Sequence, residues 1–375
     1  MRIILTGGGT GGHFYPLVAV ARSLRELSAA NGASNLELIY ASDDPYDADL
    51  LKKEGIRFLQ IPAGKIRRYF SLKNFSDPFK SFWGILKAVW IIYLNLPDVV
   101  FAKGGYASFP TLYAARIFGI PIVLHETDAV PGKVSVWASK FAKRIAISFP
   151  ESKNFFPDDR AVLTGNPVRR EVLAGTSESS KEIFKLEDNL PVILVLGGSQ
   201  GAEKINEAIS DILPDLLSFS QIIHQSGKNN VEGAMLRARS VLEGSSLISR
   251  YHLHPFLNEN EYANASKAAS LIISRAGGGS IFEIAAWNIP AILIPLAGSA
   301  QNHQRENAYS YARTGAAEVI EEANLSKHIL LDRIQKILVD QARIGKMKQS
   351  AAEFSKLDAA DKIASEILRI ALGHK

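Results

Sequence analysis

The chain has 375 residues, 47% of them hydrophobic and 22% charged, an ordinary soluble composition long enough for two domains. It has no cysteine, which excludes a disulfide framework, a thiolate zinc site and a cysteine nucleophile, and suits a reducing compartment. The net charge of +5 is too small to name a partner, and the longest apolar run, AVWIIYLNL at 88–96, is far below the roughly 18 residues that cross a bilayer.

In chain order, RIILT reads as a buried strand running straight into GGGTGGH, and FYPLVAVARSLREL reads as the helix that follows. A strand so close to the start predicts that no signal peptide precedes it, and the reading is cytosolic. Five glycines fall between Gly7 and Gly12. Glycine suits a place where φ is positive or where a large ligand touches the backbone. At a strand end that opens a helix, N–H groups and the helix dipole favour an anion such as phosphate. His13 follows at once; imidazole titrates near neutrality, which makes His13 a candidate base.

LELIYA and IRFLQI follow as strands, then the segment 64–87. It mixes Lys65, Arg67, Arg68, Lys73, Lys80 and Lys87 with Tyr69, Phe70, Phe75, Phe79, Phe82 and Trp83. Cations beside large aromatics suit an anionic membrane surface. A loop and helix whose aromatics pack inward fit the same residues. DVVFA, PIVLHE, RIAIS and AVLTG complete a set of seven candidate strands, the first of these four ending in a second glycine turn, KGGYASF.

A polar stretch, 169–189, carries no strand signal, and PVILVLGGSQGAEKINEAI then restarts the strand–glycine turn–helix pattern. LIISRAGGGSIFEIAAW supplies the second turn of this half. The alternation predicts an α/β fold of two doubly wound, Rossmann-like parallel sheets, with ligands outside the carboxyl ends of the strands. Domains are expected at 1–165 and 166–354. A last amphipathic helix, about 355–375, packs back on the first domain.

The second half gathers Ser199, Gln200, HQSGK at 224–228, Arg275, Ser280, Glu283 and AQNHQREN at 301–307. Ser199 suits a phosphate contact or a helix N-cap. On spacing alone, Glu283 reads as a first-turn acid or a capping-box partner of Ser280. Neither GGTGGH nor GGSQGA is a firm dinucleotide fingerprint, and neither has the ending of a Walker A loop. HETD is not HExxH, so a site without metal is expected.

GGGTGGH, KGGYASFP, PIVLHETD, TGNPVRREV, LGGSQGA, HQSGK and RAGGGSIFEIAAWNIPAILIP followed by NHQRENA resemble, in this order and nearly end to end, the MurG glycosyltransferases. That resemblance implies a GT-B architecture with a central cleft. It implies inverting transfer of N-acetylglucosamine (GlcNAc) from UDP-GlcNAc to undecaprenyl-pyrophosphoryl-MurNAc-pentapeptide (lipid I), giving lipid II for peptidoglycan. UDP-GlcNAc is then a substrate, with no cofactor and no metal. Matching motifs place Thr10, Gly11 and Gly12 on the donor, with Asp128, Arg169, Ser199, Leu257 and Gln304 nearby. Glu283 holds the uridine ribose, and Gly278, Gly279 and Ser280 the diphosphate. Gly104, Gly105 and Tyr106 cradle the acceptor pyrophosphate. Lys65, Arg67, Arg68, Phe79, Phe82 and Trp83 face the cytoplasmic surface of a bacterial inner membrane. No nucleic acid is implied as a partner.

The sequence departs from the family where HEQN becomes HETD, replacing an amide by Asp128, and where RSGALT-type residues become RAGGGS. A carboxylate accepts hydrogen bonds but cannot donate them as an amide does. Two rival readings share the architecture: a UDP-GlcNAc 2-epimerase and a non-catalytic nucleotide-sugar-binding module.

Overall fold

The computed structural model describes residues 1–8, 10–30, 32, 35–65, 73–198 and 201–373, with the side chains of 73–76 excepted. The backbone divides into two units, residues 1–169 with 356–375, and residues 170–355.

The first unit opens with β1 (Arg2–Thr6) and α1 (Gly11–Ala30), then β2 (Glu37–Ser42), α2 (Ala48–Lys53), β3 (Arg57–Gln60) and α3 (Lys73–Asn95). It continues through β4 (Val99–Ala102), α4 (Phe109–Ile117), β5 (Ile122–Glu126), α5 (Lys133–Ser139), β6 (Arg144–Ile147) and β7 (Ala161–Leu163). These are the seven strands expected from the sequence. All pair in parallel in the order β3-β2-β1-β4-β5-β6-β7. Their apolar runs are continuous rather than alternating because helices bury both faces of a parallel sheet. Ile3, Leu5, Val99 and Phe101 face one layer; Ile4, Val100, Ala102 and Leu124 face the other.

α1 starts earlier than the sequence suggests. Gly11 and Gly12 are already helical, so His13 stands in the first turn of a helix and not in a loop. Glycine's poor helix propensity conceals that start.

The second unit holds α6 (Ser177–Phe184), β8 (Val192–Leu196), α7 (Glu203–Ser210), α8 (Leu213–Leu217), β9 (Gln221–Gln225), α9 (Val231–Val241) and β10 (Tyr251–His254). It ends with α10 (Glu259–Ala268), β11 (Ala269–Ser274), α11 (Gly278–Trp287), β12 (Ala291–Leu293), α12 (His303–Ala312), β13 (Ala317–Val319), α13 (Lys327–Val339) and α14 (Gln341–Phe354). Its six strands are also parallel, in the order β10-β9-β8-β11-β12-β13. α15 (Ala359–Leu372) belongs to the first unit. It buries Ile363, Ala364, Ile367 and Ala371 in the same core as Leu17 and Val20 of α1.

α3 is anchored by two close approaches. A β-carbon on Gly84 would fall 1.8 Å from the Pro62 carbonyl oxygen, and one on Gly64 would fall 2.1 Å from that of Asp77. Its other face is open. Phe79, Phe82, Trp83, Leu86, Trp90, Tyr93 and Leu94 are all exposed, Phe79 by 72%. Inward packing of Phe79, Phe82 and Trp83, one of the two sequence readings, is therefore excluded. Lys65, Lys80 and Lys87 are exposed as well, whereas Arg67 and Arg68 lie outside the described residues. No helix among the described residues is long and apolar enough to cross a membrane.

Candidate active site

In the first unit, the candidate residues lie at the carboxyl ends of β1, β4 and β5 and beyond β7. Gly8 and Gly11 lie close under neighbouring hydroxyls: a β-carbon would fall 2.4 Å from Ser42 Oγ at the first and 2.6 Å from Tyr46 Oη at the second. Gly12 meets no such obstacle, its nearest neighbour being Thr10 Oγ1 at 3.7 Å. Thr10 Oγ1 lies 3.1 Å from His13 Nδ1. The opposite ring nitrogen, Nε2, faces the second glycine turn, 3.6 Å from where a β-carbon on Gly105 would sit. Gly104 and Gly105 have φ of 70° and 77°, the left-handed region glycine tolerates best. Thus β1 and β4 bring His13 and the Gly104–Gly105 turn together. Tyr106 donates its hydroxyl to Asp43 Oδ2 at 2.8 Å, tying that turn to the segment after β2. The guanidinium of Arg169 stacks on the Tyr15 ring, 3.8 Å from its centroid.

Behind this mouth lies a polar cluster that motif reading left out. Lys103, fully buried, donates from Nζ to His125 Nδ1 at 2.5 Å, to Thr127 Oγ1, and to Asn166 Oδ1 at 3.1 Å. His125 Nε2 in turn donates to the Gly165 carbonyl at 3.0 Å, which fixes its tautomer. Burial pulls the Lys103 ammonium down to about 7, against the attraction of Glu126 and Asp128. Burial and the Lys103 charge both hold His125 well below the usual imidazole range, so it is neutral. Glu126 accepts the N–H groups of Thr127, Asp128 and Gly132, yet burial and the Asp128 charge push it up to about 7. Asp128 thus sits on a turn organised by a buried carboxyl. A single unusual letter could have signalled the cluster: a lysine immediately before a double glycine at a strand end.

In the second unit, the β8 turn rests on the β9 turn. A β-carbon on Gly201 would come within 2.4 Å of the Ser226 carbonyl oxygen, and Gly198 and Gly201 have φ of 77° and 78°. Ser199 lies outside the described residues. The N-cap of α7 is Ala202. Gln225 accepts the Leu257 N–H at 3.0 Å and donates to the Gly198 carbonyl at 3.4 Å. Leu257 is buried, and its backbone N–H is consumed by that bond. His224 accepts the Tyr251 hydroxyl at 2.8 Å and donates from Nε2 to Asn206 Oδ1 at 3.0 Å. Burial lowers it to about 3, so it is a neutral structural histidine. Asn206 passes the order on to the Ser226 carbonyl at 3.0 Å.

α11 begins at Gly278 with Gly277 as N-cap and no side-chain cap. Gly278, Gly279 and Ser280 form its first turn, whose N–H groups carry the positive end of the dipole. Glu283 is the sixth helical residue, so the first-turn and capping-box readings of that acid are corrected. It accepts the Tyr262 hydroxyl at 2.8 Å. Gln304 accepts the Leu296 N–H at 3.0 Å, beside Gln301 and Asn302, both with φ near +55°. Arg275 is committed to structure: it donates to the Ile294 carbonyl at 3.2 Å and to Glu322 Oε1 at 2.8 Å. Burial alone would raise the Glu322 carboxyl, but the bonds from Arg275 and the Ala297 N–H outweigh it and hold it low.

Two family models match the chain: the glycosyltransferase family 28 N-terminal domain over residues 3–147 and the C-terminal domain of the same family over 192–363. A UDP-N-acetylglucosamine–N-acetylmuramyl-(pentapeptide) pyrophosphoryl-undecaprenol N-acetylglucosamine transferase of Clostridium tetani is 37% identical over 93% of this chain and 94% of its own length. The enzyme of that name from Clostridium kluyveri is 36% identical over 98% of each. The chain belongs to the MurG family. Among solved structures, Acinetobacter baumannii MurG superposes with a TM-score of 0.73 at 26% identity, covering 98% of this chain and 99% of that one. A UDP-GlcNAc 2-epimerase from Neisseria meningitidis, solved with UDP-GlcNAc bound, scores 0.70 at 16% identity over 98% of this chain and all of its own. At that identity the epimerase shares the fold alone. MurG-family membership accounts for the duplicated parallel sheet and for glycine turns at matching strand ends in both units.

Proposed function

We propose that this protein is a UDP-GlcNAc-dependent glycosyltransferase that moves GlcNAc onto the undecaprenyl-pyrophosphoryl-MurNAc-pentapeptide acceptor lipid I, forming lipid II. The observation that carries this reading is family membership at 36–37% identity over nearly the whole chain. UDP-GlcNAc is a substrate in this reading.

Residue roles follow from geometry and resemblance together. In the second unit, the uncapped turn of Gly278, Gly279 and Ser280 receives the donor diphosphate, aided by Ser199. Glu283 takes the ribose hydroxyls, Leu257 lies by the uracil, and Gln304 contacts the donor. In the first unit, Thr10, Gly11, Gly12, Asp128 and Arg169 meet the donor, and Gly104, Gly105 and Tyr106 meet the acceptor pyrophosphate. Asp128 accepts from a sugar hydroxyl. In the tautomer that donates Nδ1–H to Thr10 Oγ1, 3.1 Å away, His13 presents a lone pair on Nε2, as a general base requires. Nε2 takes the proton of the acceptor hydroxyl as its oxygen attacks the anomeric carbon of GlcNAc; the bond to UDP breaks on the opposite face and inverts the anomeric centre. The α3 face of Phe79, Phe82 and Trp83, with Lys80 and Lys87 on the same helix and Lys65, Arg67 and Arg68 preceding it in sequence, docks on an anionic bilayer. A contiguous exposed apolar face of that size is uncommon on a soluble monomer.

One assay tests the reaction. Purified protein receives radiolabelled UDP-GlcNAc with and without a lipid I analogue. Label enters the lipid only when acceptor is present. An epimerised nucleotide sugar formed without acceptor, or no lipid product at all, overturns the reading.

A further inference from the structure

Lys103 does not behave as a structural lysine. Its ammonium is fully buried, yet its three hydrogen bonds run to neutral acceptors, His125, Thr127 and Asn166, where an uncharged donor would serve. Keeping a charge there is costly by ordinary solvation. The side chain starts at the tip of β4, where its N–H bonds the Thr6 carbonyl at 2.9 Å and its Cβ closes against Gly7. The next two residues are the Gly104–Gly105 turn that faces His13. On the β5 side, Glu126 and Asp128 both act on this ammonium. A carboxylate at the mouth repels a phosphorylated ligand unless something offsets it.

We propose that Lys103 is a positioning residue that supplies the positive charge beneath the Gly104–Gly105 turn and offsets Asp128, so that a pyrophosphate-bearing ligand is taken up beside that acid. The inference rests on the assignment of the acceptor pyrophosphate to this turn. Lys103 does not touch the ligand; it acts through the field it sets and through the turn it anchors. A bound anion in turn favours the charged form of the ammonium.

The test uses the whole chain with inorganic pyrophosphate as the probe, titrated by calorimetry at pH 6.5 and low salt. Lys103→Met should raise the dissociation constant at least fivefold. Asp128→Asn should lower it at least twofold. The double variant should return to within twofold of the unsubstituted protein, a rescue that lost packing or lost hydrogen bonds would not give. The proposal fails if folded Lys103→Met binds as the parent does, if the double variant binds as weakly as Lys103→Met, or if Asp128→Asn does not tighten binding. Should Lys103→Met not fold, Lys103→Gln, which keeps a neutral donor, takes its place alone and with Asp128→Asn. Wild-type transfer to the lipid acceptor is scored separately. Its failure alongside intact charge rescue would remove the reading of function while leaving the charge balance standing.

Discussion

His13 and His224 show how differently one side-chain type is used. His13 lies in the first turn of α1 with Nδ1 against Thr10 and Nε2 toward Gly105. General bases contribute roughly 10²–10⁴ in rate. His13→Ala should lower kcat by that order while leaving UDP affinity within about twofold, as read by steady-state kinetics and UDP titration. Transfer at the parental rate across pH would remove the base assignment. His224 is spent on structure, neutral between Tyr251 and Asn206. Its folded value near 3 lies below the ordinary 6.5, so the unfolded chain binds the proton first as pH falls. Stability from this group is therefore whole above pH 6.5 and is lost progressively below it. About 1.4 kcal/mol should vanish between pH 7.5 and 5.5. In urea denaturation, His224→Gln should unfold at lower denaturant throughout, yet lose less of its midpoint across that interval than the parent. An equal pH response in both would contradict the sign worked out here. Neither role is visible in composition: HQSGK and GGHFY each set a histidine near the carboxyl end of a strand, and burial separates them.

At the scale of elements, strands were more legible than helix starts. Buried parallel strands such as RIILT and VILVL are apolar at every position because both faces are covered. Helix starts hid behind glycine: α1 begins within the glycine run, and α11 puts Glu283 a turn deeper than its spacing from GGGS suggested. α3 was the ambiguous element, because aromatics three and four apart describe a buried face and an exposed one equally well. Gly64 and Gly84 settle which side is docked, and the Phe79–Leu94 side is left outward. If that side meets anionic lipid, burying one indole at the interface is worth on the order of 1.4 kcal/mol. Trp83→Glu and Trp90→Glu should each weaken sedimentation with phosphatidylglycerol vesicles about tenfold, with thermal unfolding little changed. Unaltered vesicle binding in the double variant would leave the face without a membrane role.

For the molecule as a whole, the repeated strand–turn–helix pattern made two parallel-sheet units legible, since each glycine turn follows its own strand in sequence. The cluster around Lys103 was not legible in the same way. Its partners come from β5 and from Asn166, 22 to 63 residues along the chain, and only the parallel sheet brings them to one tip. In the proposed function the strand tips of the second unit take the uridine diphosphate of the donor. Amide hydrogen exchange of the whole chain, with and without saturating UDP, tests it most directly. Slowed exchange is predicted in peptides covering 197–201, 275–283 and 302–306. Protection confined to the strand tips of the first unit, with those three stretches unchanged, would contradict it.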